Sequence, residues 1–213
     1  MKKVLSFVLT VLIISSTLLL SGCGDKGKFV GKWTTTIKMA DKLNEKFKED
    51  ENMAKYVNFT EFNITLIYTF NKNGTYSVTV DENETKKSFA VAQKDFEKII
   101  ENYMVDAMKA QGFDMTLEQI LKLSGTSMEE IIGGSFNDEL FDDLTGDIAT
   151  SGNYKVKNGK LYTTASLSEK VNDDDYETYE IVSKNEIKLL KPFGKDAEDI
   201  KDLYPLVLKK IKK

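Results

Sequence analysis

The 213-residue chain has no histidine and no arginine, and only one cysteine. The missing histidine excludes a Ser-His-Asp triad, a Cys-His pair and every histidine metal ligand. The missing arginine excludes the bidentate clamp that grips phosphate or carboxylate, so lysine alone carries the positive charge. A single thiol cannot close an internal disulfide, which leaves stability to packing. Basic residues number 30 against 34 acidic ones, for a net charge of −4. Phosphates demand a basic surface, so no nucleic-acid partner is expected. Asp173-Asp174-Asp175 lacks the spacing and the glycine of a calcium loop. Asp142 and Asp143 are neighbours, and neighbours on a helix point apart, so they do not pair for acid–base work. No catalytic residue, metal site or cofactor is expected, and no internal repeat or low-complexity tract is present.

The apolar residues begin at the N-terminus. Lys2 and Lys3 precede the run Val4 to Leu20, which ends in Leu20-Ser21-Gly22-Cys23. The run is slightly short for a spanning helix and has the flanks of a signal peptide. The segment resembles a bacterial lipoprotein signal. That resemblance implies cleavage before Cys23, acylation of its thiol, and a membrane partner reached through the lipid. It implies a place on the extracytoplasmic face of a bacterial cell membrane. Cysteine suits the chemistry because a thiolate is nucleophilic enough to become the thioether. Residues 1–22 are then a signal peptide and residues 23–28 a lipidated linker. Residues 29–213 form one domain. Gly-Asp-Lys-Gly-Lys at 24–28 would reach about 17 Å when extended.

Hydrophobic periodicity predicts the rest. Phe29 to Met39 reads as a strand, and Asp41 as the N-cap of a short helix carrying Leu43 and Phe47. Phe62, Ile64, Leu66, Tyr68 and Phe70 alternate with Asn63, Thr65, Ile67 and Thr69, a period of two with one apolar face. Asn73-Gly74 is a hairpin signal before Tyr76, Val78 and Val80. The period then lengthens. Phe89, Ala92, Phe96, Ile99, Tyr103 and Met104 mark a long amphipathic helix over 86–111, stopped by Gly112. Thr116-Leu117-Glu118-Gln119 reads as a capping box, and a further helix starts at Thr126 with Ile131, Ile132, Phe136 and Leu140 inward. About three helices thus fill 84–147. Strands resume at 153–157, 160–165, 176–182, 186–190 and 206–211, with turns at Asn158-Gly159 and Lys184-Asn185. The prediction is a mainly β, α+β fold: about eight antiparallel strands in an up-and-down barrel, with helices inserted between strands 3 and 4.

Gly31-Lys32-Trp33 resembles the Gly-x-Trp signature on the first strand of lipocalins and the wider calycin group. Further stretches strengthen the likeness: Thr69-Phe70-Asn71-Lys72-Asn73-Gly74-Thr75-Tyr76, Gly152-Asn153-Tyr154 and Tyr179-Glu180-Ile181. They are similar to lipocalin-like lipoproteins of low-GC Gram-positive bacteria. The resemblance implies that Gly31 and Trp33 close one end of the barrel beneath a basic side chain of the last strand, a place for Lys209 or its neighbour Lys210. It departs from the family in offering lysine where arginine is usual.

An eight-stranded barrel holds either packed side chains or one small ligand. Phe62, Tyr68, Tyr76, Tyr154 and Tyr179 are the candidate lining for a small apolar ligand, with tyrosine hydroxyls to orient it. The alternative is an envelope interaction module that uses the helical insertion, with the barrel as scaffold. Residues 114–147 hold nine acidic residues and only Lys122 as a base, the pattern of a solvated face. Lys209, Lys210, Lys212 and Lys213 suit contact with anionic lipid near the anchor.

Overall fold

A computed structural model describes residues 25–134, 136–146, 148–194 and 197–212. Cys23 and the signal-like segment lie outside the described residues. Eight strands follow in order: β1 (Gly31–Lys38), β2 (Asn63–Phe70), β3 (Thr75–Val80), β4 (Thr150–Lys157), β5 (Lys160–Thr163), β6 (Tyr176–Ser183), β7 (Glu186–Phe193) and β8 (Leu206–Lys210). Each is bonded to its neighbours in sequence, and β8 returns to β1, closing the barrel. This is the up-and-down architecture that the alternation and the resemblance imply. Closure leaves no strand edge exposed.

The helices are α1 (residues 25–29), α2 (Ala40–Lys48), α3 (Glu82–Ala110), α4 (Leu117–Ser124), α5 (Met128–Gly133), α6 (Asp138–Gly146) and α7 (Ala197–Ile200), the last followed by a 3-10 turn at Lys201–Leu203. Local chemistry explains most boundaries. The expected capping box forms between Thr116 and Gln119, a second joins Ser127 and Glu130, and Gly125 ends α4 in the left-handed region at φ 67°. Asn158 and Gly159 both take positive φ, 53° and 74°, as a two-residue hairpin of this hand requires.

Four expectations need correction. Residues 25–28, read as part of the linker, are helical together with Phe29, read as the start of the first strand; Phe29 is fully buried and its carbonyl accepts from Trp33 Nε1 at 2.6 Å. Met39, not Asp41, precedes α2, and Asp41 lies inside the first turn. The inserted block holds four helices, α3 to α6: Gly133-Gly134 breaks the expected third one, and the Asn137 side chain accepts from Leu140 N at 2.9 Å to start α6. The start of α3 is Glu82, since Asp81 caps it by accepting from Glu84 N.

The chain forms two compact units. The first contains the described residues up to Thr35, Ile67–Thr79 and Thr150 onward; the second contains Thr36–Leu66 and Val80–Ala149. The first unit buries Phe29, Trp33, Phe70, Leu161, Ile187, Leu189 and Leu208. The second is built on phenylalanine. Phe136 lies against Phe59, Phe89 and Phe96 with ring centroids 5.9, 5.5 and 5.0 Å away. There α3 also serves the backbone of β2: Ser88 Oγ accepts from Asn63 N at 2.7 Å and Thr85 Oγ1 from Thr65 N at 3.1 Å. These half-buried strand amides thereby find acceptors without a strand. Among the described residues, no helix is long and apolar enough to cross a membrane.

Candidate binding site in the barrel

The site lies in the first unit, and strand alternation builds it. On β2 the inward residues include Tyr68 and Phe70; on β3, Tyr76; on β4, Gly152 and Tyr154. Phe70, 1% exposed, is the hub. Rings of Phe29, Tyr68, Tyr76 and Tyr154 surround it at centroid distances of 5.3, 6.1, 6.1 and 5.0 Å. Tyr179 on β6 stands edge-on to Phe29 at 4.9 Å. Four of the five candidate lining residues are therefore brought together. The fifth, Phe62, belongs to the second unit and packs on Phe89 at 6.0 Å.

Three of the tyrosine hydroxyls are already engaged. Tyr76 donates to Thr164 O and Tyr154 to Asn71 O, both at 2.9 Å. Tyr179 donates to Asp25 Oδ2 at 2.9 Å. The Lys28 ammonium, 2.9 Å from Asp25 Oδ1, and the Tyr179 hydroxyl hold the Asp25 carboxyl below its ordinary range, against the effect of burial. This end of the site is packed core, with α1 as its cover.

Trp33 is 1% exposed, with Lys210 Nζ 4.9 Å from its ring. Lys210, not Lys209, holds this place. In the register of β1 with β8, Trp33 faces Lys210 and Thr34 faces Lys209, so Lys209 lies on the outward face with Thr34. Lys210 shares the parity of buried Leu206 and Leu208. The backbone favours glycine at position 31, where φ is 131°; a Cβ there would also crowd the flexible end of Lys210, meeting its Cε at 3.1 Å.

A residue outside the predicted set dominates the electrostatics. Glu177 on β6 shares the inward parity of Tyr179, and Tyr204, just before β8, donates its hydroxyl to Glu177 Oε1. Some of its surface stays accessible, yet the carboxyl is densely enclosed. Burial raises its pKa above the ordinary 4.5, and the hydrogen bond from Tyr204 offsets this only in part. Its charge adds to burial in pushing the phenols of Tyr68, Tyr76 and Tyr204 upward. Among the described residues Oε2 has no hydrogen-bond partner, and no side-chain nitrogen or oxygen is both sealed from solvent and unpartnered. Oε2 is therefore reachable. Glu177 forms part of the wall of a cleft of about 200 Å³, together with Thr163, Asp175, Tyr176, Pro192 and Phe193 among others. Such a carboxylate can accept from a donor or balance a small cation.

The signal for Glu177 was its parity in Tyr176-Glu177-Thr178-Tyr179; nothing local pointed to Tyr204. Among the described residues no group of three or more acidic or cysteine side chains is placed to hold a metal. No protein-family model, no curated protein and no solved structure matches the chain.

Proposed function

We propose that the chain is a lipid-anchored, extracytoplasmic binding protein without catalytic activity. Its barrel takes a small, largely apolar molecule that carries a hydrogen-bond-donating head such as an amine. Glu177 carries this reading. Enclosing a carboxyl costs stability, and a barrel that needed only to be packed would hold an apolar side chain there. Tyr204 satisfies Oε1, and a ligand amine at Oε2 would complete the set. Aromatic neighbours suit a cation. The cleft of about 200 Å³ lies below the roughly 300–1,000 Å³ of drug-sized pockets, so the ligand is small. Leu20-Ser21-Gly22-Cys23 supports the anchor, and the absence of histidine together with a single thiol supports binding over catalysis.

Thermal denaturation of the full chain tests the proposal. Short alkylamines should raise the melting temperature, by an amount that grows with concentration, whereas fatty acids of equal length should not. Glu177→Gln should abolish the response. Stabilisation by the acids and not by the amines would refute the role given to Glu177.

The second reading, an interaction module, is favoured by the inserted helices. Beyond Ile99 no residue of α3 is buried, and Phe113 and Leu123 are 54% and 73% exposed. A photo-cross-linker at position 113 or 123 in intact cells should then give a discrete adduct; none forming would end that reading.

A further inference from the structure

We infer that the Trp33 end of the barrel is a docking face for anionic phospholipid, with a lipid phosphate held in a lysine-lined cleft. The cleft measures about 680 Å³ and is lined by Val30, Phe70, Ile211 and four lysines, Lys32, Lys72, Lys210 and Lys212, with no acidic side chain among the described residues. A second cleft of about 420 Å³ adjoins it through Lys210 and adds Lys28 and Lys184. The chain as a whole is acidic, at −4, so this concentration of one sign is local.

Four of the six lysines are available, Lys28 being paired with Asp25 and Lys210 lying over Trp33. Among the described residues Lys32, Lys72, Lys184 and Lys212 take part in no ion pair. The surface between them is apolar: Ile211 is 39% exposed and Val30 half-buried. Lysine around an apolar floor is the composition of a lipid-headgroup surface, where the ammonium meets phosphate and the aliphatic residues meet the acyl boundary. The geometry of the chain agrees. Helix α1 runs directly into Val30, Gly31 and Lys32 on the cleft wall, and Cys23 is two residues from Asp25, at most about 7 Å of chain. The inference itself rests on the cleft and its charge, and the anchor is tested separately.

Amide hydrogen exchange of the full chain, mixed with phosphatidylglycerol or phosphatidylcholine vesicles, reads the docking directly. Flotation with phosphatidylcholine vesicles reports the anchor alone. Residues 30–32, 69–72, 184–185 and 210–212 should exchange several-fold more slowly with phosphatidylglycerol than with phosphatidylcholine. Raising the salt to about 1 M shortens the Debye length to about 3 Å and should remove the difference. Each lysine near an anionic surface is worth about fivefold in partitioning. The triple variant Lys32→Gln, Lys72→Gln, Lys212→Gln should therefore lose nearly all of the protection; all three residues are exposed, so the fold should persist. Should the variant misfold, the salt arm on the unaltered chain still decides. Equal exchange in both vesicles would overturn the inference. So would protection reproduced in phosphatidylcholine by inorganic phosphate, because the ligand would then be a soluble anion.

Discussion

Replacing Glu177 with glutamine should change how stability depends on pH, and by a calculable slope. Burial raises the folded-state pKa of Glu177 above its ordinary 4.5. Between 4.5 and that raised value the folded chain binds the proton that the unfolded chain has released. Unfolding then releases a proton, so the free energy of unfolding falls as pH rises. The contribution of Glu177 is therefore fully present below about pH 4.5 and is lost as pH climbs through the folded pKa. One titrating group gives a slope of about −1.4 kcal/mol per pH unit. For a chain of this size each kcal/mol corresponds to roughly 2–4 °C in melting temperature. Glutamine keeps an acceptor for the Tyr204 hydroxyl but cannot ionise. Urea denaturation of both proteins from pH 4 to 8 should show wild type declining relative to Glu177→Gln with that slope, then running parallel. The break marks the folded pKa. Parallel curves throughout would mean that the carboxyl is not desolvated, and the binding site built on it would fall.

Three further outcomes follow from the packing. Phe70→Ala removes the ring at the centre of four others and should cost about 3–5 kcal/mol, lowering the melting temperature by roughly 6–20 °C; a loss under about 1 kcal/mol would show that these rings do not form a close-packed core. Lys210→Met should alter the emission of Trp33, the one tryptophan, and cost about 0.5–1 kcal/mol, whereas Lys209→Met should leave both unchanged; the reverse pattern would contradict the β1–β8 register. Gly152→Ala should prevent folding or displace β5, because its Cβ would overlap the Thr164 carbonyl and lie 2.7 Å from Thr164 Oγ1; circular dichroism indistinguishable from wild type would refute that contact.

The barrel was legible because its strands announce themselves locally. Alternation at Phe62 to Phe70, the Asn-Gly hairpins and the capping box at Thr116 each depend on residues a few positions apart. What escaped depended on distance or parity. The partner of Glu177 lies 27 residues away at Tyr204, and no local pattern joins a strand to the turn before β8. Lys209 and Lys210 are equally basic; only the register of β8 against β1 tells which faces Trp33. Residues 24–28 read as linker because glycine and lysine dominate them, yet residues 25–28 are helical together with Phe29, which is buried against Phe70 and Tyr179. Phe62 shows the limit of alternation. Period two places it inward correctly, but cannot tell that it joins the phenylalanine cluster of the second unit rather than the tyrosines of the first.

Native mass spectrometry of the full chain, released from its own membranes with gentle detergent, addresses the binding barrel most directly. Wild type should carry a small basic molecule, and Glu177→Gln prepared in parallel should arrive without it. Wild type and variant with the same mass excess, or both empty while the wild-type carboxyl titrates near its ordinary 4.5, would contradict a ligand site at Glu177.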